Sequence, residues 1–343
     1  MTDCKQVITS LSLEELASSL KELGEPSFRA KQIFEWIYKK NAASWDDMTN
    51  LPKSLRSVCA DKWLFSSVEK TTSVKSEDGT EKLLLKLKDN EYIEMVIIPA
   101  EERITFCLST QVGCPVGCLF CASGRNGLVR NLADHEILGE FQAGCAEIGR
   151  LPDNIVFMGI GEGLLNFENL MSAITKMTDE KFFGMGVRRL TVSTSGFVPG
   201  MLKLAQLGKE LNLAISLHAP DDELRSRIIP SKLRYPIDEI MEAADIYREK
   251  CNRMPTIEYT LLKDINDSAA CAKALARIAR EHHTKVNLIP YNDTGSEFKR
   301  PSANTINSFE KILRNADVAV SVRRERGSDK AGACGQLRAE VLK

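Results

Sequence analysis

Strand-like runs at residues 105–109, 155–158, 190–193, 213–216, 257–261 and 286–289 are separated by helix-length amphipathic stretches, and a further run at 318–323 closes the series. This alternation constrains the fold most, because a strand that returns through a helix must pair parallel to its predecessor. Six βα units are too few for a closed eight-stranded barrel and suit an open, partial one. The expected fold class is therefore α/β, a partial six-unit barrel. In such sheets chemistry gathers at the carboxyl ends of the strands. A cysteine-bearing loop follows the first strand, Gly161-Glu162-Gly163 the second, Ser193-Thr194-Ser195-Gly196 the third and Ser216-Leu217-His218 the fourth, while Asn287 lies in the sixth. Glycine and serine at a strand end are ordinarily turn residues, but their recurrence at one rim marks a site.

Two additions precede the barrel. Residues 12–24 read as a helix: Ser12 and Glu15 form a capping box, Leu13, Leu16, Leu20 and Leu23 an apolar stripe, and Gly24 a stop. A second helix after Pro26-Ser27 puts Ala30, Ile33, Phe34, Ile37 and Tyr38 on one face and Arg29, Lys31, Lys39 and Lys40 around it. Residues 83–87 and 92–98, joined at Asp89-Asn90, read as a β-hairpin. The expected division is a helical module over 1–66, a hairpin extension carrying Glu94 over 67–103, and the barrel over 104–343.

The 343 residues carry 46 basic and 47 acidic side chains, so bulk charge is silent about nucleic acid, and any RNA contact must come from local basic patches. No run approaches the ~18 apolar residues of a membrane span, and the N-terminus lacks the basic flank and apolar stretch of a signal peptide. A cytoplasmic, monomeric protein with no membrane association is expected. The ten cysteines are scattered as reduced thiols would be in a large intracellular enzyme. Cys4, Cys59, Cys145, Cys251 and Cys271 carry no further signal.

Three others do. Cys114, Cys118 and Cys121, in Gly113-Cys114-Pro115-Val116-Gly117-Cys118-Leu119-Phe120-Cys121, give the spacing C-x3-C-x2-C. A structural zinc site wants four protein ligands, whereas an iron–sulfur cluster held by three leaves one iron open. A zinc knuckle would need Cys107 as a fourth ligand. His218 has no second histidine at metal spacing. Glu94 interrupts a run of Ile93, Met95, Val96, Ile97 and Ile98, where desolvation would raise a carboxyl toward a useful base; the alternative is an outward-facing strand carboxylate.

The cysteine loop, with Phe120 before its last member, resembles that of the radical SAM superfamily. Cys107-Leu108-Ser109-Thr110-Gln111-Val112-Gly113-Cys114, Met158-Gly159-Ile160-Gly161-Glu162, Asn287-Leu288-Ile289-Pro290-Tyr291-Asn292, Arg326-Gly327 and Ala333-Cys334-Gly335-Gln336-Leu337 narrow the resemblance. Together they are similar to the RlmN family of RNA adenine carbon-2 methyltransferases, near end to end. The related Cfr family methylates carbon 8; Ser193-Thr194-Ser195-Gly196 and Arg323-Arg324-Glu325-Arg326-Gly327 look more like the carbon-2 branch. Gly163 stands where proline is usual, and Ser328-Asp329-Lys330-Ala331-Gly332 departs from the usual D-D-I-D-A.

The resemblance implies a 4Fe-4S cluster on Cys114, Cys118 and Cys121, and two S-adenosylmethionine (SAM) molecules consumed per methyl transferred. It implies that Cys334 takes a methyl from the first, that a deoxyadenosyl radical from the second removes hydrogen from that S-methyl group, and that the carbon radical adds to adenine as a covalent protein–RNA link. Glu94, thirteen residues before Cys107, would accept the carbon-2 proton, and Cys107 would release the product by forming a disulfide with Cys334. Gly161, Glu162, Ser193, Ser216, Leu217, His218 and Asn287 would hold SAM. The implied partners are 23S rRNA, tRNA as a further substrate, a flavodoxin-like electron donor and a thioredoxin-like reductant. Arg125, Arg130, Arg225, Arg227, Lys232, Arg234, Arg323, Arg324 and Arg326 surround the site in sequence and are candidate phosphate contacts, extended by Lys31, Lys39 and Lys40. The competing readings are carbon-8 methylation and a non-enzymatic iron–sulfur or zinc protein.

Overall fold

The computed structural model describes residues 5–323, 326–330 and 332–337; Cys4, Arg324, Glu325 and Ala331 lie outside the described residues. The N-terminal part holds α1 (Leu13–Glu22), α2 (Phe28–Tyr38) and α3 (Lys53–Lys62). The capping box of α1 is formed, with Glu15 N–H donating to Ser12 Oγ at 3.1 Å and Ser12 N–H to the Glu15 carboxylate at 2.7 Å. Gly24, at φ +81°, takes the left-handed turn after this helix. The third helix buries only Leu55 and Cys59, too weak an apolar stripe to stand out in the sequence.

A single ten-stranded sheet follows. Its strands, in chain order, are β1 (Val68–Lys75), β2 (Glu81–Leu87), β3 (Tyr92–Ala100), β4 (Arg103–Cys107), β5 (Asn154–Phe157), β6 (Leu190–Thr194), β7 (Asn212–Ser216), β8 (Thr256–Leu261), β9 (Lys285–Pro290) and β10 (Val320–Val322). Spatial order equals chain order. The strands β1 to β4 form an antiparallel meander, with Leu84 opposite Glu94 and Val96 opposite Cys107. From β4 to β10 every pairing is parallel. The sheet keeps two edges, so the barrel is open as expected, and the hairpin is its antiparallel continuation.

The helices α4 (Asp134–Ile148), α5 (Phe167–Thr178), α6 (Val198–Gln206), α7 (Asp222–Ile228), α8 (Ile237–Cys251), α9 (Ala269–Glu281) and α10 (Ala303–Asn315) make the connections. Gly144 of α4 lets the helix lie against the sheet: a Cβ there would come within 2.6 Å of Met95 and 2.7 Å of Phe106. Strand alternation does the rest. In β3, Ile93, Met95 and Ile97 join the helix-side core, while Val96 and Ile98 pack inside with Cys107 and Leu337. The helix-side core is continuous with Leu16, Leu20, Ile33 and Ile37 of the N-terminal helices. Tyr38 meets Phe182 and Phe183 edge-on at centroid distances of 4.9 and 5.1 Å. Among the described residues no helix is long and apolar enough to cross a membrane.

Candidate active site

The cysteine loop is fixed by backbone geometry. Gly113, at φ +74°, precedes Cys114, and a Cβ there would lie 2.0 Å from the Gly127 carbonyl oxygen, which instead accepts from Cys114 N–H at 2.9 Å. A short antiparallel pair, residues 111–113 with 128–131, frames the loop. The C-terminal tail is bound to the same loop: Ala122 N–H donates to Gly335 O at 2.7 Å, and Ser123 Oγ to Leu337 O at 2.8 Å. Asn292 donates to Cys334 O at 3.2 Å, and Gln336 to Asp293 O at 2.7 Å while accepting from Ala333 N–H at 3.1 Å.

These contacts bring Cys114, Cys118, Cys121 and Cys334 to the walls of one cleft, together with Gly161, Glu162, Ser193, Ser216 and His218. Leu217 does not line it and is fully buried in the helix-side core. Asn287 stands behind the wall, donating from Nδ2 to Glu258 at 2.9 Å, and it is Glu258 that faces the cleft. Cys107 is buried beneath the tail, against Val96, Ile160 and Leu337.

The three loop thiols fit a cationic cluster. Burial pushes Cys114 up to about 12, Cys118 well above the ordinary thiol range, and Cys121 upward as well. Only a positively charged group in the cleft would hold all three as thiolates. Among the described residues no three His, Cys, Asp or Glu side chains are grouped to hold a single metal ion, so the three thiols suit a cluster in which each would bind its own iron and not one shared ion. Burial likewise pushes Cys107 up to about 12, with the nearby Cys334 adding to the effect.

Glu162 is buried, and its carboxylate accepts from Ser195 N–H at 2.6 Å and Leu164 N–H at 3.2 Å. Burial raises its pKa against those bonds. His218 sits at φ +60° with Nδ1 accepting from Thr260 N–H at 3.0 Å, which places its proton on Nε2. Phe120 packs edge-on against the ring at 4.9 Å. Burial pulls His218 down to about 3, so the imidazole is neutral at ordinary pH.

Glu94 is buried rather than outward-facing, with a side chain 3% exposed and its carboxylate 2.8 Å from Lys82 Nζ. The neighbouring strand supplies this carboxylate with an ammonium partner that lies twelve residues away in the chain.

The basic residues divide. Arg225 is fully buried: its guanidinium donates to Leu217 O and Tyr235 O at 3.1 Å each and to Ser195 O at 2.5 Å. It is a strut between loops, so its reading as a phosphate contact is corrected. Arg130 is held by Asp89 at 2.6 Å and Glu136 at 2.7 Å, and Arg125 by Thr294 O at 2.5 Å. Lys39 bonds the Glu180 carbonyl, and Lys40 lies 4.3 Å over Trp36. Arg323 lines the cleft itself, and its neighbours include Cys334, Glu258 and Cys107. Arg323, a candidate phosphate contact by sequence, thus stands in the cleft; Glu258 and Thr260 line it with no local signal in the sequence, and Asn292 and Gln336 lie inside the quoted motifs.

Comparison with known proteins agrees with this geometry. Residues 8–63 match the ribosomal RNA large subunit methyltransferase N-terminal domain, and residues 108–272 the radical SAM superfamily. The probable dual-specificity RNA methyltransferase RlmN of Akkermansia muciniphila is 42% identical over 97% of this chain and 95% of its own length. The probable dual-specificity RNA methyltransferase RlmN 3 of Opitutus terrae is 44% identical, covering 100% of this chain and 96% of its own. The crystal structure of a radical SAM methyltransferase from Sphaerobacter thermophilus superposes with a TM-score of 0.92 at 43% identity, over 98% of this chain and 100% of that one. The superfamily implies SAM and a 4Fe-4S cluster as cofactors. Similarity of this extent, over the barrel, the cysteine loop and the N-terminal helices alike, places the chain in the RlmN family of radical SAM RNA methyltransferases.

Proposed function

We propose that this enzyme methylates carbon 2 of an adenosine in 23S rRNA, and in tRNA as a second substrate, through a methylated Cys334. The observation that carries the reading is the binding of the tail to the cysteine loop, which sets Cys334 in the cleft that Cys114, Cys118 and Cys121 line. Those three cysteines would hold the cluster, and with SAM it would supply the one-electron chemistry that an unactivated carbon–hydrogen bond demands. Gly161 and Glu162 would receive the methionine end of SAM; Ser193, Ser216 and His218 would line its middle, and Asn287 would support the adenosine end through Glu258. Neutral His218 offers a donor at Nε2 and adds no charge beside a sulfonium.

Cys334 first takes a methyl and later delivers its carbon to the adenine, remaining joined to the RNA through sulfur. Glu94, inside the sheet beside the tail, accepts the carbon-2 proton. Once the adduct has given up its unpaired electron to the cluster that Cys114, Cys118 and Cys121 would hold, Cys107, under the tail, attacks the sulfur of Cys334 as a thiolate. The carbon–sulfur bond breaks with its electron pair going to the carbon, which takes a proton from water to become the methyl group on the RNA, and a disulfide remains between the two sulfurs. Two SAM are spent per product. A thioredoxin-like reductant reopens the disulfide, and a flavodoxin-like donor supplies electrons. The chain works as a cytoplasmic monomer whose segments 1–66, 67–103 and 104–343 serve RNA binding, proton transfer and radical chemistry. Mass spectrometry of nucleosides from 23S rRNA and tRNA treated with reconstituted enzyme, SAM and reductant tests this. The result expected is 2-methyladenosine; 8-methyladenosine, or no methylated adenosine, overturns it.

A further inference from the structure

The turn between β1 and β2 does more than join two strands. It is closed by Ser76 N–H on Thr80 O at 2.7 Å and by Thr80 N–H on Asp78 Oδ1 at 2.9 Å. The second oxygen of Asp78 accepts from the Gly327 N–H at 3.1 Å, some 250 residues on in the chain. In return Asp329 reaches back, its Oδ1 accepting from Ser76 Oγ and its Oδ2 lying 3.5 Å from the Glu77 N–H. The pairing is reciprocal, one aspartate from each segment. Packing enforces it: Gly327 sits at φ +67° so close to Thr80 that a Cβ would come within 2.7 Å of the threonine methyl.

The clamp leads directly to the chemistry. Gly332 N–H closes onto Gly327 O at 2.8 Å, two residues before Cys334, and Lys82, two residues after Thr80, lies against Gly332. The same Lys82 pairs with Glu94 at 2.8 Å. One turn thus touches both the segment that carries the sulfur and the partner of the carboxylate. Both aspartates are set up as ionised acceptors. Burial opposes ionisation of Asp78, yet the bonds from Thr80, Gly327 and Ser76 outweigh it and hold its pKa low; the Ser76 hydroxyl does the same for Asp329.

We propose that the β1–β2 turn is the clamp that fixes Cys334 relative to Glu94 and the cysteine loop, with Asp78 and Asp329 as its positioning residues. This rests on the reading of Cys334 as the methyl carrier. A tail bound at one end by Asn292 and Ser123 and at the other by this turn has Cys334 held from both sides. Release of the turn leaves the sulfur in the cleft but lets its direction vary, which lowers the rate of methyl transfer without touching the SAM contacts.

The test uses anaerobically reconstituted holoenzyme without RNA, comparing wild type with Asp78→Ala, Asp329→Ala and Asp329→Asn. Two quantities are read: hydrogen exchange at the Gly327 and Gly332 amides, and methyl arriving on Cys334 from labelled SAM, the latter as maximal rate and SAM KM. Both alanine variants are expected to exchange tenfold or more faster at these amides and to methylate Cys334 at least tenfold more slowly, with iron content and SAM KM within twofold of wild type. Asparagine at 329 keeps an oxygen acceptor and is expected to recover most of both. Unchanged exchange removes the clamp. Faster exchange with an unchanged methylation rate removes its positioning role, as does failure of asparagine to recover either quantity. Wild-type enzyme that never acquires methyl on Cys334, whatever the exchange data, refutes the underlying reading of the sulfur and the positioning role with it.

Discussion

Arg225→Met is the perturbation whose magnitude the structure sets best. Its guanidinium spans three loops, donating to Ser195 O after β6, Leu217 O after β7 and Tyr235 O before α8. Stranding a buried acceptor costs about 1–3 kcal/mol, so three carbonyls give roughly 3–6 kcal/mol at the lower half of that range. Against this, burial pulls the Arg225 pKa from 12.5 to about 10, and at about 1.4 kcal/mol per tenfold in proton affinity, methionine removes a strain of roughly 3 kcal/mol. The net loss is about 0–3 kcal/mol, and its upper end is a sizeable part of the ~5–15 kcal/mol that holds a typical domain. Arg225→Lys separates geometry from charge. Lysine keeps a charge to desolvate but lacks the fork that spans three acceptors, so it should be at least as destabilising as methionine. Urea unfolding at pH 7.5, with SAM affinity by calorimetry, reads both. Because Ser195 N–H also holds Glu162, SAM should bind at least threefold more weakly in either variant. A lysine variant as stable as wild type would show that charge, not three-way bonding, is what the site needs.

Cys118→Ala should lose the roughly four irons of a three-cysteine cluster and the visible absorption with them; stoichiometric iron in the variant, by chemical assay, would count against the ligand set. Burial holds His218 to about 3 against an ordinary 6.5, so below pH 6.5 the unfolded chain binds a proton that the folded chain refuses, and stability falls as pH drops toward 3. At pH 5 this residue alone should cost about 2 kcal/mol relative to pH 8, and urea midpoints of His218→Gln at the two pH values should differ by correspondingly less; an unchanged difference would assign the acid lability elsewhere. Glu94→Gln should leave iron content and methylation of Cys334 intact but accumulate RNA joined to protein, and normal product release, measured as free 2-methyladenosine, would give the proton to another group.

What the sequence showed plainly was local or periodic. The βα alternation, the Ser12–Glu15 cap, the hairpin around Asp89-Asn90 and the cysteine spacing each express themselves within about fifteen residues. What it concealed depends on partners far along the chain. Arg225 reads as one more surface cation until three carbonyls from separate loops close on it, and Glu94 reads as a lone carboxyl until β2 lays Lys82 alongside. Leu217 lies between Ser216 and His218, which face the cleft, yet alternation along the chain turns it to the helix side. Asn287 stands one layer back because Glu258, opposite it in register, occupies the front. The strand β1, polar along most of its length, owes its place to pairing with β2 and not to any apolar pattern of its own.

The central claim is that Cys334 carries the carbon to RNA and that Cys107 acts only afterwards. The direct measurement is denaturing electrophoresis of Cys107→Ala after incubation with SAM, reductant and RNA, with mass spectrometry of the Cys334 peptide. A slow-migrating, ribonuclease-sensitive band with an adenosine linked through one carbon to Cys334, absent from Cys334→Ala, is the result predicted. Free turnover by Cys107→Ala, or methylated RNA from Cys334→Ala, would contradict it.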